Sequence, residues 1–388
     1  MPSISTINKT LLSIPPSGIR RFFDLVAQSQ DIISLGVGEP DFITPWHVRE
    51  ACIFSLERGQ THYTSNLGQL ELRREIAIWL KRKYSLKYAE DEILVTNGVS
   101  EGFDLAIRTL LNPGDEVIVP APAYVMYEPL VRLAGGVVCF AEGLEKNNLV
   151  LKCEDIEKKI TKNTKVLILS YPGNPTGQTL NKIELQKIAK LVKKHDLFVI
   201  SDEIYSELSY DSIHVSFASL PEMRERTITL NGFSKAFAMT GLRLGFICAP
   251  RNLLGEILKI HQYCALCASS IAQAGAIEAL RNGAEEVQKM KEEYDARRKL
   301  VLSACKKIGL VCPYPDGAFY IFPSIKKTGL SGEEFALQLL KKFKVAVVPG
   351  NVFGKNYADH IRISYATGME DLVEAFKRIE EFVRGGGK

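Results

Sequence analysis

The sequence predicts an α/β fold, a mostly parallel seven-stranded β-sheet covered by helices, followed by a smaller α+β domain. Three observations carry this. From about residue 90, short β-branched runs alternate with segments of helical spacing, which is the pattern of a parallel sheet with both faces covered. Several of those runs end in unusual polar clusters, and open α/β sheets hold their ligands beyond the carboxyl ends of the strands. After about residue 280 a long charged helix opens a stretch of mixed helices and short strands.

The elements follow in order. Residues 1–45, with Pro15, Pro16, Gly18, Gly36, Gly38 and Pro40, read as an arm and connecting segments. Residues 46–282 form the large domain. Its expected strands cover 93–96, 116–119, 137–140, 166–170, 198–201, 227–230 and 244–249, each a short β-branched run bounded by turn residues. A helix is expected over 100–111, opened by Ser100 and closed by Asn112-Pro113-Gly114. Another is expected over 182–195, with Ile183, Ile188, Leu191 and Val192 on one face. Residues 283–388 form the small domain, with a helix over 285–307 and strands near 318–322, 345–348 and 360–364. The tail Gly385-Gly-Gly-Lys388 reads as a frayed end.

Composition excludes several function classes. At 388 residues, a prior of ~150 per domain gives two or three domains. Apolar residues make up 46% and charged residues 24%, an ordinary globular balance. The net charge is only +4, from 49 basic and 45 acidic residues, and no basic stripe suggests nucleic acid. Apolar runs such as 165–170 are too short to span a bilayer. The start of the chain lacks the charged and apolar regions of a signal peptide. Eight cysteines, mostly inside apolar segments, suit free thiols in a reducing compartment, so a cytoplasmic protein is expected. The pair Cys264-Ala-Leu-Cys267 lacks a second ligand pair and reads as core packing, and no metal is expected.

Four strand ends carry chemistry. After 166–170 comes Tyr171-Pro-Gly-Asn174-Pro-Thr-Gly177, and after 198–201 comes Asp202-Glu-Ile-Tyr205. After 227–230 comes Asn231-Gly-Phe-Ser234-Lys235, continuing to Met239-Thr-Gly-Leu-Arg243-Leu-Gly. After 93–96 comes Asn97-Gly98-Val99-Ser100, which reads either as an ordinary turn capped by Ser100 or as an anion cradle at a helix N-terminus. Neither the dinucleotide Gly-x-Gly-x-x-Gly pattern nor a P-loop is present.

These motifs, with Arg362-Ile-Ser in the small domain, resemble the class I aminotransferases, pyridoxal-phosphate enzymes of fold type I. The resemblance is nearest to the aspartate and aromatic amino acid aminotransferases of bacteria and archaea. It runs in order from Gly36-Val-Gly-Glu-Pro-Asp-Phe42 to the C-terminal region. It implies transamination between an L-amino acid and a 2-oxo acid such as 2-oxoglutarate, in ping-pong half-reactions through a Lys235 aldimine.

The resemblance assigns each task. Lys235 carries the cofactor and moves the proton, which requires an amine neutral well below its usual pKa of about 10.4. Asp202 faces the pyridine nitrogen and keeps the ring protonated, since an opposite charge favours the charged form. Asn174 and Tyr205 donate to the cofactor's 3-oxygen. Gly98, Val99, Ser100, Ser234 and Arg243 form a phosphate cup, in which the arginine dominates. Tyr124 stacks on the ring. Tyr63, in Thr61-His-Tyr63-Thr-Ser-Asn66, reaches the phosphate from a second subunit, which implies a homodimer with a shared site. Arg362 clamps the substrate α-carboxylate with its guanidinium fork, beside a backbone contact from Gly38. Asn174 and Tyr124 also border the substrate.

Substrate selectivity is the least legible part. An aspartate-selective bacterial subgroup carries lysine where this chain has Ser100, which favours an aromatic or broad donor range over aspartate. Tyr263, Cys264 and Cys267 are expected near the distal pocket. A C–S β-lyase would keep Lys235, Asp202 and Arg362, and is the remaining alternative within the cofactor class.

Overall fold

The computed structural model describes residues 7–16, 18, 31–143 and 149–385. The expected frayed tail at 386–388, and the arm at 1–6, 17 and 19–30, lie outside the described residues.

Twelve strands are described: β1 (Ile33–Ser34), β2 (Ile93–Thr96), β3 (Glu116–Ala121), β4 (Val137–Glu142), β5 (Thr164–Ser170), β6 (Phe198–Asp202), β7 (Thr227–Gly232), β8 (Gly245–Cys248), β9 (Tyr320–Ile321), β10 (Val345–Ala346), β11 (Val348–Pro349) and β12 (Ile361–Ser364). Seven of them form the main sheet in the order β2-β8-β7-β6-β5-β3-β4. All neighbours run parallel except β8, which is antiparallel to both β2 and β7. The link from β7 to β8 is a run of turns rather than a crossover helix, and only an antiparallel pair closes so directly.

Strand alternation divides the core between the two faces. Val117, Val119, Val166 and Ile168 point to the helix Val99–Leu110 and pack with Phe103, Ala106 and Ile107. Ile118, Leu167, Leu169 and Val199 point the other way, onto Leu185, Ile188, Leu191 and Val192 of the helix Lys182–Lys194. Each such side chain contributes about 1.5–3 kcal/mol when fully buried. Ile183 departs from expectation: it is exposed, and Leu185, three residues before Ile188, takes the inward position.

The strands after residue 318 are shorter than expected. The stretch 345–348 splits into β10 and β11, which join different sheets. β11, β12 and β9 form an antiparallel sheet, while β1 from the arm pairs in parallel with β10. The long helix Ala284–Ile308 holds the arm as well, through Arg297 Nη1 donating to Asp41 Oδ1 at 2.7 Å. This tethering carries residues 36–39 across the carboxyl ends of the main sheet.

All eight cysteines are unpaired. Cys52, Cys248 and Cys305 are buried, but Cys264 is exposed, so core packing does not account for the Cys264/Cys267 pair. Cys264 closes the helix Arg251–Cys264, whose buried face is Leu254, Ile257 and His261. Among the described residues no helix is long and apolar enough to cross a membrane.

Candidate active site

The ends of β5, β6 and β7, the start of the helix Val99–Leu110, and residues 37–39 of the arm enclose a cavity of about 460 Å³. Lys235, Asp202, Tyr205, Asn174, Tyr124, Arg243, Ser234, Ser100, Val99, Gly38 and Arg362 all line it.

Arg362 lies on β12, whose four residues are all buried, so it is no outward strand arginine. Its Nη1 donates to Asn174 Oδ1 at 2.9 Å and its Nη2 to the Gly36 carbonyl at 2.6 Å. The guanidinium lies 4.7 Å from the ring centre of Tyr320 and 4.9 Å from that of Phe353. Its Nε is buried without a partner, and its hydrogen-bonded acceptors are neutral. Burial accordingly pulls its pKa down. Among the described residues no carboxylate pairs with it, and a buried cation so arranged suits an anionic ligand. The arginine also fixes the amide: with Oδ1 accepting from Arg362, the Asn174 Nδ2 is left as donor.

Asp202 ends β6, fully enclosed. Tyr127 donates to its Oδ2 at 2.7 Å and the Ile204 amide to its Oδ1 at 3.3 Å. Burial outweighs both bonds and pushes the carboxyl up to about 6. No helix follows directly, so Asp202 is not a helix cap.

Lys235 follows β7 in a turn, and its Nζ donates to the Gly38 carbonyl at 2.5 Å. Burial lowers its pKa to about 8; Glu39 opposes this, while Arg362 and Arg243 reinforce it. The amine is therefore partly neutral near physiological pH.

The anion-cradle reading of residues 97–100 fits the geometry. Gly98 itself is the N-cap, with φ of +83°, and Ser100 sits inside the first turn rather than capping it. A Cβ at Gly98 would lie 2.9 Å from Arg243 Nη2, and one at Gly245 would lie 2.7 Å from Val99 N. Both glycines thus let the guanidinium and the helix amides converge. Behind the turn, Glu101 accepts from Asn97 and from His261 Nδ1 at 3.0 Å, which fixes the loop.

Four expected residues lie outside this chain's own cavity. Tyr63, expected to act on a second subunit, is 82% exposed and lines a separate surface depression with His62 and Cys267. Tyr263 is 86% exposed and Cys264 is exposed, and neither they nor Cys267 line the cavity, so this chain's own pocket does not use them. Conversely, Tyr127, Tyr320 and the Glu101–His261 pair adjoin the site although the sequence assigns them no role there. The available signals were slight: Tyr127 lies three residues beyond Tyr124, and Tyr320 is the lone hydroxyl in Ala318-Phe-Tyr-Ile-Phe322.

Comparison with known proteins settles the family. Residues 30–379 match the model of the family described as aminotransferase class I and II. The chain is 50% identical over 380 residues to a putative aminotransferase, YugH, of Bacillus subtilis, covering 98% of each chain. It is 46% identical to an aspartate aminotransferase of Pyrococcus abyssi, covering 96% of each. The crystal structure of an aromatic aminotransferase from Pyrococcus horikoshii superposes with a TM-score of 0.90 at 44% identity, covering 95% of this chain and 99% of that one.

The chain belongs to the class I and II aminotransferases.

As an aminotransferase of fold type I, it is an enzyme that depends on pyridoxal phosphate. The cavity suits that cofactor by its own chemistry. It offers the aminotransferase a partly neutral amine at Lys235, a buried carboxyl at Asp202 with only neutral partners, and Arg243 beside helix amides for a phosphate. Aminotransferases act on amino acids and 2-oxo acids, and Arg362, a cation whose hydrogen-bond acceptors are neutral, has the donor chemistry that suits the carboxylate both share.

Proposed function

We propose that this aminotransferase moves the amino group of an L-amino acid, aromatic or broad in side chain, to a 2-oxo acid such as 2-oxoglutarate, in ping-pong half-reactions at Lys235. The observation that carries this is the convergence of Lys235, Asp202 and Arg362 on one cavity.

Pyridoxal phosphate, when bound, supplies the aldehyde that takes up the amino group and the ring that withdraws its electrons. Lys235 holds the cofactor and then moves the proton, a role its lowered pKa supports. Asp202 holds the ring nitrogen protonated. Asn174 Nδ2 and the Tyr205 hydroxyl donate to the 3-oxygen. Gly98, Val99, Ser100, Ser234 and Arg243 hold the phosphate, and Tyr124 packs on the ring. Arg362 orients the α-carboxylate, with the Gly38 backbone beside it.

The lining also bears on the donor. Beyond the residues already given a role it presents Val37, Met126 and Tyr320, and the charged residue that remains, Glu39, is acidic. A neutral or aromatic side chain suits that surface better than a second carboxylate. The similarity to the Pyrococcus abyssi protein favours the alternative, aspartate as donor. A half-reaction screen with the twenty amino acids, followed by absorbance and by the oxo acid released, decides between them. Fast conversion of phenylalanine and tyrosine supports the reading; aspartate alone refutes it, and release of pyruvate and ammonia would make the protein a lyase. Borohydride reduction and peptide mapping should place the pyridoxyl group on Lys235.

The same reading divides the chain into an arm (1–45) packed on the small domain, a large domain (46–282) and a small domain (283–388), which the pairing of β1 with β10 supports. It also makes the enzyme a cytoplasmic homodimer. Exposed Trp46, Ile53, Phe54 and Leu56 on the helix Trp46–Glu57 support a second copy there, with Tyr63 reaching into the neighbour's phosphate cup.

A further inference from the structure

Tyr320 stands where three parts of the site meet. Its hydroxyl is 2.8 Å from that of Tyr205, and the two rings cross at 83°. The Arg362 guanidinium rests on its ring, 4.7 Å from the centre. Its hydroxyl also lies against Gly38, where any Cβ would overlap it, and the Gly38 carbonyl is the acceptor for Lys235. The residue is 1% exposed, so packing holds these relations fixed.

The direction of the phenol–phenol bond follows from its surroundings. Facing the pair are Arg362 from β12, Tyr124 from the loop after β3 and, across the Phe319 ring, Lys235. The one guanidinium lies over Tyr320, and a cation on a phenol's ring makes its hydroxyl the better donor. Burial raises both phenols, Tyr320 only to about 12 because Arg362 offsets part of the rise, and Tyr205 well above its ordinary value.

We propose that Tyr320 is a positioning residue: it donates to Tyr205 and so turns the Tyr205 O–H toward the cavity, while its ring seats Arg362. This rests on the reading of Tyr205 as a donor to the cofactor. It makes one side chain responsible for both the donor that faces the cofactor and the clamp that faces the substrate. A carboxylate arriving at Arg362 neutralises the cation over the ring, weakens Tyr320 as a donor, and is thereby felt at Tyr205.

The test is a pH titration of the visible absorbance of the cofactor-loaded enzyme, comparing the parent, Tyr320→Phe, Tyr205→Phe and the double variant. Loss of the Tyr320 donor should raise the midpoint by about 0.5–1 unit, the equivalent of one hydrogen bond. Tyr205→Phe should raise it further, and the double variant should match Tyr205→Phe, because Tyr320 acts only through that phenol. A midpoint that is unchanged or falls in Tyr320→Phe, or shifts that add in the double variant, overturns the proposal. Should Tyr320→Phe fail to fold, 3,5-difluorotyrosine at position 320 keeps the ring and sharpens the donor. The midpoint must then fall, and a rise or no change refutes the assignment. If the parent shows no cofactor band on Lys235, the reading of the site fails with it; a normal band with an unmoved midpoint sinks only the role of Tyr320.

Discussion

The Tyr127 hydroxyl donates to Asp202 Oδ2 at 2.7 Å, and both buried side chains line the cavity. This bond and the Ile204 amide hold the carboxyl in place, but neither brings a positive charge to it. Asp202 is therefore aimed and left without a counter-ion, which is why burial dominates and its pKa rises to about 6.

A stability test follows from that rise. A carboxyl raised in the folded state contributes stability below its unfolded pKa near ~4 and loses it as pH climbs through the folded value of about 6. In the cofactor-free protein, ionised Asp202 is thus a cost above pH 6. Asp202→Asn should stabilise the cofactor-free protein at pH 8 by ~2–3 kcal/mol, with the difference fading by pH 4. The same substitution should cripple turnover. Denaturant melts at pH 4, 6 and 8 check this; equal stability of the two proteins at pH 8 would show that the carboxyl is not buried without charge.

Lys235 has the opposite sign. Its burial favours the neutral amine, with a midpoint of about 8. Covalent capture of pyridoxal phosphate by the cofactor-free enzyme should slow about tenfold per unit below that midpoint and level off above it, since only the neutral amine attacks. Stopped-flow absorbance between pH 6 and 9.5 measures the profile. A midpoint near 10 would mean the amine is solvated as an ordinary lysine. Lys235→Ala should capture no cofactor covalently at any pH.

The phosphate turn allows a matched comparison of two glycines. Gly98 and Gly59 both have positive φ, +83° and +68°, so alanine strains the backbone at either. Only at Gly98 would the methyl meet a functional group, Arg243 Nη2 at 2.9 Å; at Gly59 it meets nothing within 4 Å. Gly98→Ala should weaken cofactor retention roughly tenfold, close to the loss of one charge-assisted hydrogen bond, while Gly59→Ala leaves it unchanged. Equilibrium dialysis of the two variants measures this, and equal retention would remove Arg243 and the turn from the phosphate site.

Much of this site was legible because each piece of chemistry falls at the end of a recognisable strand. The runs 93–96, 198–201 and 227–230 are rich in β-branched and apolar residues, so Asn97, Asp202 and the Ser234-Lys235 pair announce themselves as the polar residues that follow. What stayed hidden depends on contacts between distant parts of the chain. Tyr127 meets Asp202 across 75 residues, Tyr205 meets Tyr320 across 115, and Glu101 meets His261 across 160. A buried tyrosine that aims a carboxylate looks, in sequence, like any other core aromatic. Tyr263 and Cys264 lie at the surface for a related reason: an apolar local stretch does not say what covers it.

Arg362 offers the sharpest functional separation, because its proposed role concerns one group on the substrate. The guanidinium spans two acceptors, Asn174 Oδ1 and the Gly36 carbonyl, and still has a buried Nε without a partner. Lysine keeps the charge but has no planar fork, so Arg362→Lys cannot hold both acceptors and grip a carboxylate bidentately. With an amino acid donor, kcat/KM should fall by ~2–5 kcal/mol in transition-state terms, at least thirtyfold, the range for losing one partner of a buried charge pair. With an amine of similar size that lacks the α-carboxylate, such as phenylethylamine, parent and variant should react at rates within about threefold, since neither gains from the clamp. Single-turnover absorbance with phenylalanine and phenylethylamine gives both numbers on one enzyme preparation. Equal losses on the two donors would mean that Arg362 supports the cavity rather than the carboxylate, and the substrate clamp would have to be sought at another cation.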